Sequence, residues 1–213
     1  MNKPLLEFNE KGIYCSLADV YIDAWKPVNK VIISHGHADH SKYGHKNYLT
    51  HHYNVPIVKH RLGKITIEGK EWGEKFFING VQFSLHPAGH IIGSSQVRLE
   101  YKDEIWVYSG DYKREFDGIT TPFELVKCHT FITECTFGLP AFKWKNQALV
   151  FDEINNFWND CRKNNQTAIV FAYSLGKAQR LIANISSEIG KIYTHGAIEN
   201  INEVIRKYKK LPI

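Results

Sequence analysis

The chain has 213 residues, 43% of them hydrophobic, so it is long enough for one domain and part of a second and can form an apolar core. No run approaches the roughly 18 apolar residues that a membrane-spanning helix needs, and we predict a cytoplasmic protein with no membrane partner. The formal net charge of +5 favours an anionic partner, although no basic tail stands out.

Residues 1 to about 135 consist of short runs rich in β-branched and aromatic residues, separated by glycine and polar residues. Such runs, with turn signals between them, are typical of β-strands. The runs are "GIYCSL", "DVYID", "KVIIS", "KITI", "VQFSLH", "SQVRLEY", "EIWVYSG" and "CHTFITE". We therefore predict that this part of the chain is mainly β-sheet with few helices.

The pattern changes near Asn146. Apolar residues occur at helical spacing in "ALVFDEINNFWNDCRKNN", "GKAQRLIANISSEIG" and "ENINEVIRKYKK", and two strand-like runs, "TAIVFAYS" and "KIYTHG", lie between them. Alternation of this kind predicts βαβ units and a parallel sheet. The fold class predicted for the whole chain is therefore α/β.

Three histidines and an aspartate lie within six residues in "HGHADH", directly after the strand-like residues 31–34. Functional residues are common in loops that follow a strand of a rigid sheet. His35 and His37 are separated only by a glycine, so one turn can direct both imidazoles toward a single cation. Asp39 and His40 follow at once and can reach a second cation nearby.

Four residues this close in sequence cannot easily surround one tetrahedral zinc ion, so further ligands must come from elsewhere. His90 in "HPAGHIIGS" and Asp111 in "YSGDYKRE" each follow a strand-like run and a glycine. We predict two adjacent sites that share Asp111 as a bridge. Their ligands are His35, His37 and His90 in the first, and Asp39, His40 and Asp111 in the second. The predicted cofactors are two divalent cations: imidazoles favour zinc, and the carboxylates tolerate manganese as an alternative.

A strand-end aspartate, HxHxDH, a later histidine and a later aspartate together resemble the motifs of the metallo-β-lactamase superfamily. Asp23 in "VYIDAW" matches the first aspartate, and the resemblance implies that Asp23 orients the metal-binding loops. Glu134 in "TFITECTFGLP" resembles the first additional motif of the β-CASP branch, whose members are mainly nucleic-acid hydrolases.

Within that branch the chain resembles the bacterial ligase-associated DNA exonucleases from about Gly12 to His195. The similar stretches are "YCSLADVYIDAWKPV", "HPAGHIIGSSQVRLE", "SGDYKREFDGITTPFE", "FITECTFGLP" and "FAYSLGKAQR". The resemblance implies the N-terminal half of a metallo-β-lactamase αββα sandwich in residues 1–140. It also implies part of a β-CASP-type α/β cap in residues 141–213.

The resemblance implies a metal-dependent phosphodiesterase, a DNA exonuclease that takes part in end processing and repair with a DNA ligase and a helicase. Asp39 would hold the attacking water as hydrogen-bond acceptor or as base, and Glu134 would orient a ligand or the missing histidine. Similar proteins continue with two further histidine motifs. We therefore expect a truncated chain that lacks the last ligand of the second metal and the histidine that assists the leaving group. An RNA-processing β-CASP nuclease, a small-substrate metallo-hydrolase and an inactive metal-binding or nucleic-acid-binding fragment stay open as alternatives.

Contacts to phosphate are predicted for residues near glycine turns and at the start of a predicted helix. Basic residues there favour an anionic backbone, and serine hydroxyls can donate to it. The candidates are Lys113, Arg114, Ser94, Lys177 and Arg180. Four other histidines of the N-terminal region are interpreted as surface residues, namely His45, His51, His52 and His60, and His86 is interpreted as structural.

Overall fold

A computed structural model of the chain describes residues 4–208. Six strands form its first sheet, in the same order as along the chain. These strands are β1 (Glu7–Asn9), β2 (Gly12–Cys15), β3 (Val20–Ile22), β4 (Lys30–Ile32), β5 (Asn47–His51) and β6 (Ile67–Lys70). Strand β2 is antiparallel to both of its neighbours, β1 and β3, and β3 to β6 run parallel.

Five strands form the second sheet, in the order β11-β10-β9-β8-β7. Neighbouring strands in it are antiparallel, except that β10 and β11 are parallel. The strands are β7 (Phe76–Ile78), β8 (Val81–Pro87), β9 (Ser95–Tyr101), β10 (Glu104–Tyr108) and β11 (Thr130–Ile132).

The two sheets pack against each other through a shared apolar core. Alternate residues of each strand point into it, as the two-residue period of a strand requires. Val20 and Ile22 come from the first sheet, and Phe83, Leu85 and Leu99 come from the second. All five side chains are buried, and each contributes roughly 1.5–3 kcal/mol when removed from water.

The first sheet is also covered on its other face, by helix α1 (Val55–Leu62). Val58 of this helix packs with Val31 and Ile33, so the segment around β4 is apolar on both faces, as expected of a covered parallel strand. The layers are thus helix, sheet and sheet. The predicted α/β class is confirmed, and the arrangement is the one expected of the first half of an αββα sandwich.

The chain divides into two compact units. The first contains the residues up to Phe116 together with Thr120–Glu134, and the second contains Asp117–Ile119 together with the residues from Cys135 onward. The division falls close to the predicted boundary at residue 140, and the roles assigned to the two regions stay predictions.

The second unit contains three helices, α2 (Gln147–Lys163), α3 (Lys177–Asn184) and α4 (Gly196–Arg206). The side chain of Asn146 accepts a hydrogen bond from the Ala148 N–H at 2.9 Å, so it caps the start of α2. The three predicted helices are confirmed. None of the four helices within residues 4–208 is long and apolar enough to cross a bilayer.

The two strands predicted between these helices do not form. Residues 135–208 contain no hydrogen-bonded strand, so the prediction of βαβ units with a parallel sheet is wrong for this part of the chain. A strand is stabilised by pairing and by packing of its side chains on neighbouring strands. Phe171 is 95% exposed and Tyr193 is 85% exposed, so these strand-like residues lack that packing.

Candidate metal centre

Three imidazole nitrogens converge at one end of the first unit. His35 and His37 lie in the loop after β4, and His90 follows β8. Nε2 of His35 is 3.1 Å from Nδ1 of His37, and that atom is 3.2 Å from Nε2 of His90. The structure therefore brings together the three histidines predicted from sequence to form one site.

These distances match a shared cation. Ligand nitrogens at about 2.0–2.1 Å from a tetrahedral zinc ion are about 3.3 Å from one another. Burial lowers the pKa of His35 well below its usual value, and burial followed by the nearby His37 lowers the pKa of His90 to about 3. Both imidazoles are thus neutral near neutral pH, which is the form that ligates metal. The three nitrogens fit zinc.

Asp111 links this group to a second one. It follows β10, and its Oδ2 lies 3.3 Å from Nε2 of His90 and 3.7 Å from Nε2 of His35. Its other oxygen, Oδ1, lies 3.8 Å from Nε2 of His40. One carboxylate therefore faces both sets of histidines, as the predicted bridge requires.

The second group differs in one member from the predicted set. His40, Asp111 and Glu134 have ligand atoms within 4.8 Å of one another, and Glu134 Oε1 is 3.5 Å from Nε2 of His40. Asp39 Oδ2 is 3.7 Å from the same nitrogen, but the Asp39 side chain is 76% exposed and lies outside the group. The turn from His37 to His40 directs His40 inward and Asp39 toward solvent. Glu134 thus has a ligand position instead of only a supporting one.

Asp23 contacts both ends of the histidine loop, residues 34–40. Its Oδ1 accepts a hydrogen bond from the Ser34 N–H at 2.7 Å, and its Oδ2 lies 2.7 Å from Nδ1 of His40. This leaves Nε2 of His40 directed toward Asp111 and Glu134. Asp23 has a φ of 46°, a left-handed conformation that aspartate tolerates better than most residues. Its position is the one expected of a residue that orients the metal loops.

The charge of His40 depends on these carboxylates. Burial by itself lowers the pKa of His40, but the hydrogen bond and charge of Asp23, followed by the charges of Glu134 and Asp111, raise it to about 9. Burial raises the pKa of Asp111 to about 6. A cation at this position would displace the proton from His40 and the proton from Asp111.

Two glycines allow the loops to approach closely. Gly89 has a φ of 73°, and a Cβ there would overlap the carbonyl oxygen of Lys113. Gly110 has a φ of 53°, and a Cβ there would lie 2.8 Å from the Ser34 side chain. Each glycine directly precedes a candidate ligand, so the positions of His90 and Asp111 depend on the absence of a side chain.

The residues predicted to contact phosphate differ in how far their side chains are exposed to solvent. Lys113 is half-buried with its charge near His90, and Arg114 is exposed, so the contact of each with phosphate stays a prediction. Ser94 is buried, and its Oγ accepts hydrogen bonds from the N–H groups of His90 and Ile91 at 3.0 and 3.2 Å. The Ser94 hydroxyl thus shapes the His90 turn as an acceptor, and its donation to a phosphate stays a prediction.

Lys177 and Arg180 belong to the second unit, at the start of α3. Lys177 is exposed, and its Nζ lies 5.0 Å from the centre of the Tyr173 ring. Arg180 donates to Oε1 of Gln147 at 2.7 Å, and its guanidinium lies over the Phe151 ring. Arg180 thus joins α3 to α2, and of these two residues only Lys177 is well placed to meet an anion.

The sequence reasoning missed two residues that support the centre. The buried Tyr108 donates to Oε1 of Glu134 at 3.0 Å. Arg61 of α1 donates to the Gly36 carbonyl at 2.7 Å and also to Ser41 Oγ. Tyr108 precedes "SGD" at a strand end, which is a usable signal. No sequence signal marks Arg61, because the residues that it contacts lie 20 or more positions away in the chain.

Two histidines that were predicted to lie at the surface are buried instead. His45 is buried, and its Nδ1 accepts a hydrogen bond from the Val28 N–H at 3.2 Å. His51 is fully buried, and burial followed by the neighbouring His52 lowers its pKa to about 3.

The metal-free protein is expected to be most stable near pH 6.5. Burial depresses the pKa values of His35, His51 and His90, so only the unfolded chain binds these protons as the pH falls below about 6.5, and stability decreases. Asp111 has the opposite effect. Its pKa in the folded protein is raised to about 6, so the folded chain binds one proton that the unfolded chain binds only at lower pH, and this partly offsets the loss of stability. The pKa of His40 is raised to about 9 in the folded protein, so between about pH 6.5 and 9 only the folded chain keeps this proton. Stability therefore decreases as the pH rises through this range.

Urea unfolding in the presence of a chelator at about pH 4.5, 6.5 and 8.5 tests this, with each net proton changing the free energy of unfolding by about 1.4 kcal/mol per pH unit. A free energy of unfolding that rises steadily across the three pH values would contradict it.

Comparison with known proteins gives relatives at low identity. No protein-family model matches the chain. It is 27% identical over 200 residues to a protein of Opitutus terrae described as "Probable DNA ligase", and the match covers 92% of this chain and 20% of that protein. It is 26% identical over 220 residues to the "RNase J-like protein" of Methanocaldococcus jannaschii, with 86% of this chain and 51% of that protein covered.

A third relative is "Endoribonuclease ysh1" of Aspergillus fumigatus, 26% identical over 121 residues, with 54% of this chain and 13% of that protein covered. The chain thus spans about half, or less, of the length of these relatives. It is similar to proteins named as nucleases and to one named as a DNA ligase.

Proposed function

We propose that this chain is the metal-binding portion of a metal-dependent nuclease of the metallo-β-lactamase superfamily, β-CASP branch. The observation that carries the proposal is the pair of ligand groups joined by Asp111. One group has three imidazoles, and the other has His40 with Asp111 and Glu134. Two adjacent cation positions with mixed ligands are typical of enzymes that hydrolyse phosphate esters. The nuclease names of several relatives also support it.

Phosphodiester hydrolysis requires a nucleophile that is strong at neutral pH and a means to offset charge at phosphorus. Two bound divalent cations, zinc or alternatively manganese, would supply Lewis acidity that activates water and offsets this charge. The imidazole group favours zinc, and the carboxylates of the second group also suit manganese.

The residues of the chain would prepare the substrate and the water. Asp39 lies beside His40 with its carboxylate in solvent, where it can accept a proton from water as a general base. Tyr108 would hold Glu134 in place through its 3.0 Å hydrogen bond. Lys113 and Arg114 would bind the phosphate backbone near Asp111, because cationic side chains offset its charge without reading sequence.

We infer that the substrate is DNA and that the activity is exonucleolytic, in end processing and repair. One similarity, over 92% of this chain, is to a protein named as a DNA ligase, which supports action together with a ligase. A helicase partner and a cytoplasmic location complete the proposal. RNA processing is the second candidate, and the RNase J-like relative favours it.

Four substrates distinguish these functions: linear single-stranded DNA, linear double-stranded DNA, RNA and a chromogenic lactam. Each is incubated with the purified chain and zinc or manganese, and metal content is measured in parallel. Because the two further histidine motifs of similar proteins are missing from this sequence, slow DNA shortening from its ends is expected, and a His37→Ala variant is expected to remove it. Cleavage of RNA alone would favour the second candidate, and cleavage of the lactam alone would overturn the nuclease proposal. Two bound cations without turnover would favour a non-catalytic fragment.

A further inference from the structure

We propose that the chain has a third divalent-cation site, separate from the metal centre, formed by His51, His52 and Glu71. We call it the edge site, because β6, which precedes Glu71, is an edge strand of the first sheet. Its chemistry fits zinc. This inference does not depend on the proposed nuclease function.

Neighbouring parallel strands bring the three residues together. His51 ends β5, His52 follows it, and Glu71 directly follows β6. Strands β5 and β6 are paired in parallel with His51 opposite Lys70, so their carboxyl ends lie side by side. A Cβ at Gly69 would lie 3.0 Å from Cα and 3.1 Å from Cβ of His52, so glycine at this position lets β6 approach the histidines.

The candidate ligand atoms lie close together but do not form hydrogen bonds with one another. One nitrogen from each histidine and one oxygen of Glu71 lie within 4.8 Å of one another. Nδ1 of His52 is 2.9 Å from Oε2 of Glu71, yet within residues 4–208 this buried nitrogen has no partner with hydrogen-bond geometry. Nε2 of the fully buried His51 also has no hydrogen-bond partner in the described part of the chain.

Buried polar atoms without partners are uncommon, and each costs about 1–3 kcal/mol. A cation held by Nδ1 of His52 and the Glu71 carboxylate would remove this cost for His52. His51 would bind through Nε2 once its ring proton moves to Nδ1, which gives up the hydrogen bond that Nδ1 accepts from the Tyr53 N–H at 3.2 Å. The ring of His51 is already held by stacking on Trp72, with ring centroids 3.4 Å apart and an angle of 10° between the planes. A fixed imidazole loses little entropy when it binds a cation.

The donor set selects the kind of cation. Two imidazoles and one carboxylate suit zinc, whereas magnesium and calcium prefer oxygen ligands. The side chains of His52 and Glu71 are 37% and 68% exposed, so the cation can enter from solvent and water can complete a tetrahedron.

Zinc titration against a chromogenic chelator tests the edge site in the full chain. His52→Ala and Glu71→Gln alter partly exposed side chains, so the variants are expected to fold. Each is expected to lose one equivalent of bound zinc, or to bind that equivalent roughly 10–100-fold more weakly. The matched controls are His60→Ala, an exposed histidine of α1, and Glu68→Gln, which changes an exposed carboxylate of β6. Both controls are expected to bind as much zinc as the unaltered chain.

Unchanged zinc stoichiometry and affinity in both edge-site variants would overturn the proposal. If Glu71→Gln lowers the melting temperature in chelator but leaves zinc binding unaltered, the pair of His52 and Glu71 is an ion pair only, and the proposal is likewise overturned. Because these variants leave the metal centre intact, a failure here is distinct from a failure of the nuclease proposal.

Discussion

Replacing Asp111 with asparagine is expected to remove at least one of the two cations from the metal centre and to decrease kcat/KM at least about 100-fold, or about 2.7 kcal/mol. Among residues 4–208, Asp111 is the one residue that belongs to both candidate ligand groups, with its two oxygens 3.3 and 3.8 Å from Nε2 of His90 and Nε2 of His40. An amide keeps the shape of the side chain but loses the negative charge. Both groups are therefore weakened by one substitution.

The fold itself is expected to tolerate Asp111→Asn. Burial raises the pKa of Asp111 to about 6 in the metal-free protein, so near that pH the carboxyl is partly protonated and resembles the neutral amide. Metal content and turnover should therefore decrease while the melting temperature in chelator stays nearly constant. Glu115→Gln, an exposed carboxylate nearby, is the control. Retention of both cations by Asp111→Asn would show that Asp111 is not a bridge.

Replacing Asp23 with alanine is expected to destabilise the metal-free protein by about 3–5 kcal/mol, because removal of one partner from a buried ion pair leaves the other charge unpaired. Asp23 is buried and accepts from the Ser34 N–H at 2.7 Å, and it lies 2.7 Å from Nδ1 of His40, whose pKa it helps to raise to about 9. In the variant the pKa of His40 is expected to fall.

Urea unfolding near pH 7 in chelator measures this loss, and NMR titration of His40 reports its pKa. Asp23→Asn keeps the shape without the charge, so it should lose less stability than the alanine variant while still lowering the pKa of His40. Asp103→Ala, in an exposed turn, is the control and should change stability by less than about 0.5 kcal/mol. If Asp23→Ala behaves like that control, Asp23 does not hold the metal loop.

Most of the candidate ligands that lie close together in the structure could be named from the sequence, because they follow strand-like runs. His35, His90 and Asp111 each lie within a few residues after such a run and beside a glycine, and loops after strands are where functional residues are common. The sequence pattern could not distinguish Asp39 from Glu134 as the nearer carboxylate. That difference depends on which way one turn directs a side chain, and Asp39 points to solvent.

The sequence was less informative where tertiary contacts decide. The runs "TAIVFAYS" and "KIYTHG" have the composition of strands, but a strand forms only when a neighbour pairs with it. The sequence offered Ser94 only as a possible donor to phosphate and did not indicate that its hydroxyl accepts hydrogen bonds from two backbone N–H groups.

The sequence by itself determined the α/β class, the helices of the second unit and the order of the metal-binding motifs, because apolar periodicity and residue chemistry are local properties. Only the tertiary structure decided that Asp111 faces two ligand groups, that Tyr108 supports Glu134 and that His51, His52 and Glu71 meet at a sheet edge. Those relations arise from strand pairing and sheet packing between residues distant in sequence. A short pattern does not encode such distances.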